Sequence, residues 1–174
     1  MRLLTNAIFT ILLYAALSIA CFLMLRTIVG YSAFNDHAQF LQYKQDYIHI
    51  RAWKVAFYIH VFTAITALLA GFTQFLTHLR QYNSPVHRML GKVYVWNILA
   101  VNFPVGMVMA FYANGLWWGK TAFIVLDSLW FYFTYRAWCL AQQGDYRHHQ
   151  QFMIRSYALT FSAVTLRMWK LILS

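Results

Sequence analysis

Glutamate is absent from the chain's 174 residues, and charged residues of every kind make up only 10%. Soluble domains carry about 25%, so an ordinary water-soluble fold is excluded. The only two cysteines, Cys21 and Cys139, lie inside apolar runs and read as small apolar residues, not as a disulfide or a thiolate site. No phosphate-cradling glycine loop, long-period repeat or low-complexity tract is present, and no spacing of Ser, His and acid suggests a hydrolytic triad. The net charge of +10 comes from lysines and arginines set singly at helix ends. Without a basic run or a stacking platform this excludes nucleic acid, and membrane lipid headgroups become the expected partner.

What is there is apolar: 61% of residues are hydrophobic and 20% aromatic. A bilayer core of about 30 Å needs about 20 apolar residues per helix. The uncharged runs between Arg2 and Arg26, Lys54 and Arg80, and Lys92 and Lys120 meet that length. A fourth span, Leu116 to Gln142, carries Asp127, and a fifth, His148 to Leu173, carries Arg155 and Arg167. The expected fold is an all-α integral membrane protein, one domain over residues 1–174, with a bundle of about five transmembrane helices and its termini on opposite sides. Between the first two helices, Phe34, Phe40, Leu41 and Tyr47 alternate with polar residues, the pattern of a short helix lying in the membrane interface.

Polar residues on these helices fall in stripes. In the last span His149, Ser156, Thr160, Ala163 and Arg167 share a direction. Lipid-facing His and Arg are costly, so the stripe must face partner helices or a cavity. In the second span His60, Ala64, Ala67, Gly71, Gln74 and His78 line up, where small residues admit a close neighbour or a flat cofactor. His87, Gly91 and Tyr94 share a face of the third, in which Pro104 should produce a kink and free the carbonyl of Ala100. Asp127, at mid-bilayer, must be neutral, wet or paired, with Arg155 or Arg167 within reach of it.

Counting crossings puts His78, His87, His148 and His149 in one layer with Gln74, Arg88 and Arg155. His60 and Arg167 form a sparser layer near the other side, with Met107, Met109 and Lys120. His60 with Gln74, the run HRMLGKVYVW from His87 and the run HHQQFMIRSYALTFSAVTLRMW from His148 resemble bacterial membrane proteins of the domain-of-unknown-function family 2306. The resemblance covers roughly His60 to Trp169, marks His60, His87, Arg88, His149, Arg155 and Arg167 as motif positions, and implies a small bacterial inner-membrane protein without naming a substrate.

A weaker similarity runs to the ascorbate-dependent transmembrane dihaem cytochromes b, in which His near a helix end is followed by a Gly that makes room for haem; here the second layer offers only His60 within a span. Three readings follow. One is a haem b protein for electron transfer or quinone interaction, with His87 and His149 at the haem, Arg88 or Arg155 near its propionates, and a quinone or membrane redox protein as partner. The second is a zinc, copper or iron enzyme using His87, His149 and His78. In the third, a transporter or an accessory or assembly subunit of a larger complex, the same residues form a buried hydrogen-bond network.

Overall fold

Long apolar runs with only two prolines fold as long rods, because each residue added to a started helix gains a backbone hydrogen bond. The computed structural model describes residues 2–35, 37–75 and 84–173, and these contain helices and turns but no strand. α1 (Arg2–Val29) leads through a 3₁₀ turn (Gln39–Lys44) to α2 (Arg51–Gln74). α3 (Ser84–Trp96) continues through a π-helical turn (Asn97–Asn102) into α4 (Phe103–Phe111) as one rod. α5 (Leu116–Gln142) and α6 (Tyr146–Leu173) complete the chain. Among the described residues there are thus five rods of 24 to 28 residues, each about 36–42 Å long.

Neighbouring rods run antiparallel. The Tyr14 hydroxyl midway along α1 donates to the Phe75 carbonyl just past α2 at 3.3 Å, and Tyr31 beyond the C-terminal end of α1 packs edge-on against Phe57 near the start of α2. α6 lies along α5, α2 touches every other rod except α5, and α1 contacts α2. The main core joins Leu17, Met24, Ala67, Tyr94, Ile98, Trp130 and Tyr157 across the five rods.

Three features differ from the sequence expectation. The segment before α2 holds a short helical turn, as expected, but the turn is 3₁₀ and packs on the bundle. It folds back as a 3₁₀ turn whose Leu41 and Lys44 are buried, and its aromatic residues build a second core with Trp53, Phe57 and Val61. Leu41 is covered by protein, while Phe34 and Tyr43 remain exposed.

The break near Pro104 is a π-helical turn, in which the Phe103 N–H reaches the Ile98 carbonyl five residues back. An extra residue per turn absorbs the missing proline donor within the rod. Among the described residues, two helices rather than five are long and apolar enough to cross a membrane by length and composition, Arg51–Gln74 and Pro85–Phe111. The apolar stretch described in α1, Tyr14–Val29, is shorter than that. Lys120, Asp127 and Arg136 dilute α5, and the His, Gln and Arg residues of its first turns dilute α6.

Candidate functional site

The crowded histidine layer has its space filled from within. A Cβ on Gly71 would overlap the Tyr157 ring, so at Gly71 the small-residue stripe of α2 admits a close neighbour, one of its two expected occupants. The Tyr157 hydroxyl donates to the Leu68 carbonyl at 3.2 Å and pins the ring there. The gap at Gly91 is covered by Gln74, whose Oε1 stands 3.3 Å from where a Cβ would sit.

Two histidines of this end, His148 and His149, serve the helix that carries them. His149 Nδ1 lies 2.8 Å from the Ala137 carbonyl, so the ring donates there and clamps α6 to α5. His148 is exposed and belongs to the cap of α6: its N–H donates to Asp145 Oδ1 at 3.2 Å and its ring meets Oδ2 at 2.6 Å. His87 is half-buried in the first turns of α3, and Arg88 is exposed. The Arg155 guanidinium lies over the rings of Phe152 and Phe133, at 5.2 and 5.9 Å, away from Asp127. His78 and the side chain of Arg167 lie outside the described residues. Among the described residues no three His, Cys, Asp or Glu side chains gather as metal ligands, and the trio of His87, His149 and His78 includes a residue outside them.

Midway along the bundle the polar stripe of α6 turns inward and meets a buried latch. Tyr94 pairs with Ser156 at 2.8 Å and with Thr160 at 2.9 Å, Trp130 Nε1–H donates to Thr160 at 3.0 Å, and Thr134 meets Ser156 at 2.7 Å. Each hydroxyl has one hydrogen. Thr134 spends its own on the Trp130 carbonyl and Thr160 on the Ser156 carbonyl. Tyr94 and Ser156 thus bring two hydrogens to the three remaining contacts, Tyr94 with Ser156, Tyr94 with Thr160 and Ser156 with Thr134, and the network shares them. Three rods meet in this latch: the third rod, α5 and α6.

Beyond the latch, toward the turn that carries Lys44, the bundle encloses a cavity of about 390 Å³. Trp130 and Thr160 form its inner wall, and Leu68, Met109, Phe123 and Leu126 supply apolar lining. His60 and Asp127 enter it from α2 and α5. His60 lies nine residues into α2 and Asp127 eleven into α5, placing them about 14 and 17 Å from the ends near Lys44. The two are level, and His60 sits inside the bundle instead of near its rim.

Asp127 is backed by Gly106, where a Cβ would stand 2.9 Å from Oδ1. A side chain at 106 would close the notch that the carboxyl occupies. Asp127 Oδ2 is buried with no hydrogen-bond partner among the described residues. The expected ion pair with Arg155 is thus not formed, because that cation is held by aromatic faces on another side of α6.

The cavity's outer end carries the opposite charge. Lys44, 4% exposed, donates to the Tyr112 carbonyl and to Asn114 Oδ1, 2.6 Å away, and its ammonium lies 5.0 Å from the Tyr47 ring centre. Burial, and next the positive charge of Lys120, lower its pKa from the usual lysine value. Sequence reading missed Lys44 and Asn114 because both lie between helices. A signal was available: Lys44 falls in step with Phe40, Leu41 and Tyr47, so a lysine occupies the stripe that becomes buried.

A family model described as "Predicted membrane protein (DUF2306)" matches residues 57–174, from α2 to the end of the chain. No curated protein and no solved structure matches.

Proposed function

The chain belongs to the DUF2306 family of predicted membrane proteins, and from that footing we propose that all five rods cross a membrane and that their cavity receives a lipid-soluble amphiphile, with quinones as its redox-active members. Large apolar side chains stand exposed on the three helices outside the composition test, among them Ile11 and Phe22 of α1, Val125 and Leu129 of α5, and Ile154 of α6. Such surface is costly in water and at home in lipid. The bacterial inner membrane is the location this reading takes.

The observation that carries the binding role is the cavity itself: a carboxyl oxygen lacking a donor and a histidine face one apolar space at the same depth. Ligand pockets have this composition, an apolar lining with a few converging polar groups, and span roughly 300–1,000 Å³. A ring carbonyl or hydroxyl near His60 and Asp127 would find donors and acceptors, with its tail along Leu68, Met109 and Leu126. Haem ligation by His87 and His149 draws on a different end of the bundle, and neither residue lines this space.

Trp53 and Trp130 line the cavity and report on it. Titrating a decyl-substituted benzoquinone into the protein in lipid nanodiscs should quench tryptophan fluorescence saturably. Asp127→Asn should leave the melting temperature unchanged or higher, since no partner is lost, while His60→Leu and Asp127→Leu weaken quinone binding about tenfold, the weight of one or two hydrogen bonds. Quenching that rises linearly without saturation, or that all three variants leave unaltered, sinks the reading.

A further inference from the structure

The cavity's outer end fits a more specific occupant. Lys44 is almost wholly removed from solvent, yet its two hydrogen-bond acceptors are neutral oxygens and its remaining neighbours are the faces of Tyr47 and Phe40. Among the described residues no carboxylate lies within ion-pairing distance of it; Asp46 nearby is exposed, and Asp127 lines the cavity much deeper. The charge that acts on it is the like charge of Lys120.

A buried ammonium without an anion carries an unrecovered desolvation cost, and a second cation increases it. An ammonium has three donors. Two are used, and the side chain borders the cavity. Resting on the binding role proposed above, we infer that the cavity selects an amphiphile with an anionic oxygen head, a carboxylate or a phosphate, which seats on Lys44 near Lys120 while the apolar tail runs inward past Met109 and Leu126 toward Trp130. Asn114 Oδ1 and the Tyr112 carbonyl hold the ammonium in place until the head arrives.

Polarity along the cavity supports this direction. Cations occupy the outer end, His60 and Asp127 lie midway, and Trp130 and the latch close the inner end. A head entering from the Lys44 end is neutralised at once, whereas one pushed to the depth of Asp127 would meet a second acid. The reverse orientation places an anion beside a carboxyl and leaves Lys44 without a counter-charge.

Competition in nanodiscs of zwitterionic lipid tests it, with dodecanoate, dodecyl phosphate and dodecanol each displacing the decyl-benzoquinone. At least one anion should displace it at a concentration about tenfold or more below that of dodecanol. Lys44→Met should abolish that preference while leaving dodecanol within about twofold, and Lys44→Arg should retain it. Lys92→Met, an exposed cation elsewhere, should retain it too, which separates a seat at Lys44 from general attraction to a basic protein. A stronger dodecyl phosphate points to a phospholipid-derived head and a stronger dodecanoate to a free fatty acid.

Equal displacement by anions and alcohol, or a preference that Lys44→Met leaves intact, overturns the inference while quinone binding stands. Should the quinone not bind, direct tryptophan titration with the two anions decides: saturable, Lys44-dependent binding upholds the anionic seat without the quinone reading. No saturable change removes both. Circular dichroism and melting of Lys44→Met and Lys44→Arg identify any variant that fails to fold.

Discussion

Both ends of the bundle are rich in polar side chains, and they use them in opposite ways. At the histidine-rich end, His149 is engaged by Ala137, His148 by Asp145, Gly91 by Gln74 and Gly71 by Tyr157. At the other end there are fewer polar groups, but Lys44, His60 and Asp127 border open space, and one Asp127 oxygen has no donor among the described residues. Polar density marks where helices hold one another. Space bordered by unmet polar atoms marks where something else can bind.

Enlarging Gly71 tests that contrast most severely. Gly71→Val places atoms inside the Tyr157 ring, and overpacking of this kind costs about 3 kcal/mol. A large fall in melting temperature is expected, with α2 forced away from α6. A variant as stable as the parent would mean that the histidine-rich end has room to spare, and the flat-cofactor reading would regain its ground.

His149→Ala should have a middling effect. It removes the bond to the Ala137 carbonyl, worth about 1 kcal/mol, and should leave quinone affinity within about twofold. Spectra of the oxidised and dithionite-reduced protein sharpen the result. Six-coordinate b-type bands that vanish in His149→Ala or His87→Ala would transfer the functional site to that end and break the comparison.

The smallest effect is expected at the cap of α6. Two hydrogen bonds from His148, backbone first and ring second, hold the exposed Asp145 carboxyl below its usual 3.8. A depressed acid stabilises the fold fully above the unfolded value and loses that contribution as pH falls through the folded one. Carbon-13 titration of Asp145 should therefore give a midpoint under 3.8, rising toward it in His148→Ala. An unshifted midpoint would remove His148 from the cap and return it to the pool of candidate ligands.

The rods themselves were legible because apolar length and uncharged runs decide helix number in such a chain, and the last two were bounded within a few residues. The inward turn of Ser156 and Thr160 was legible too, from periodicity alone. His60 was identified with the site as a member of the sparser layer, and the structure puts it about two and a half turns into α2. The rest depended on side chains filling or leaving space. Periodicity reveals that Gly71 and Gly91 are small, but not that Tyr157 and Gln74 occupy the room they leave. Asp127 read as half of an ion pair for a similar reason: sequence spacing cannot tell that Arg155 prefers two phenyl rings.

The π-helical turn in the third rod also governs what each end can be. Tyr94 and Gly106 are twelve residues apart, and along an uninterrupted α-helix they would point about 120° away from each other. A π turn takes in one residue without advancing the helical phase, which reduces their divergence to about 20°. The tyrosine that closes the latch and the glycine that backs Asp127 consequently look into the same interior. Deleting a single residue between Asn97 and Asn102 would act like slipping one tooth in a gear: neither half would unfold by itself, but they could no longer engage their partners together. The inserted residue is the phasing element of the rod, keeping a sealed half and an open half on one face.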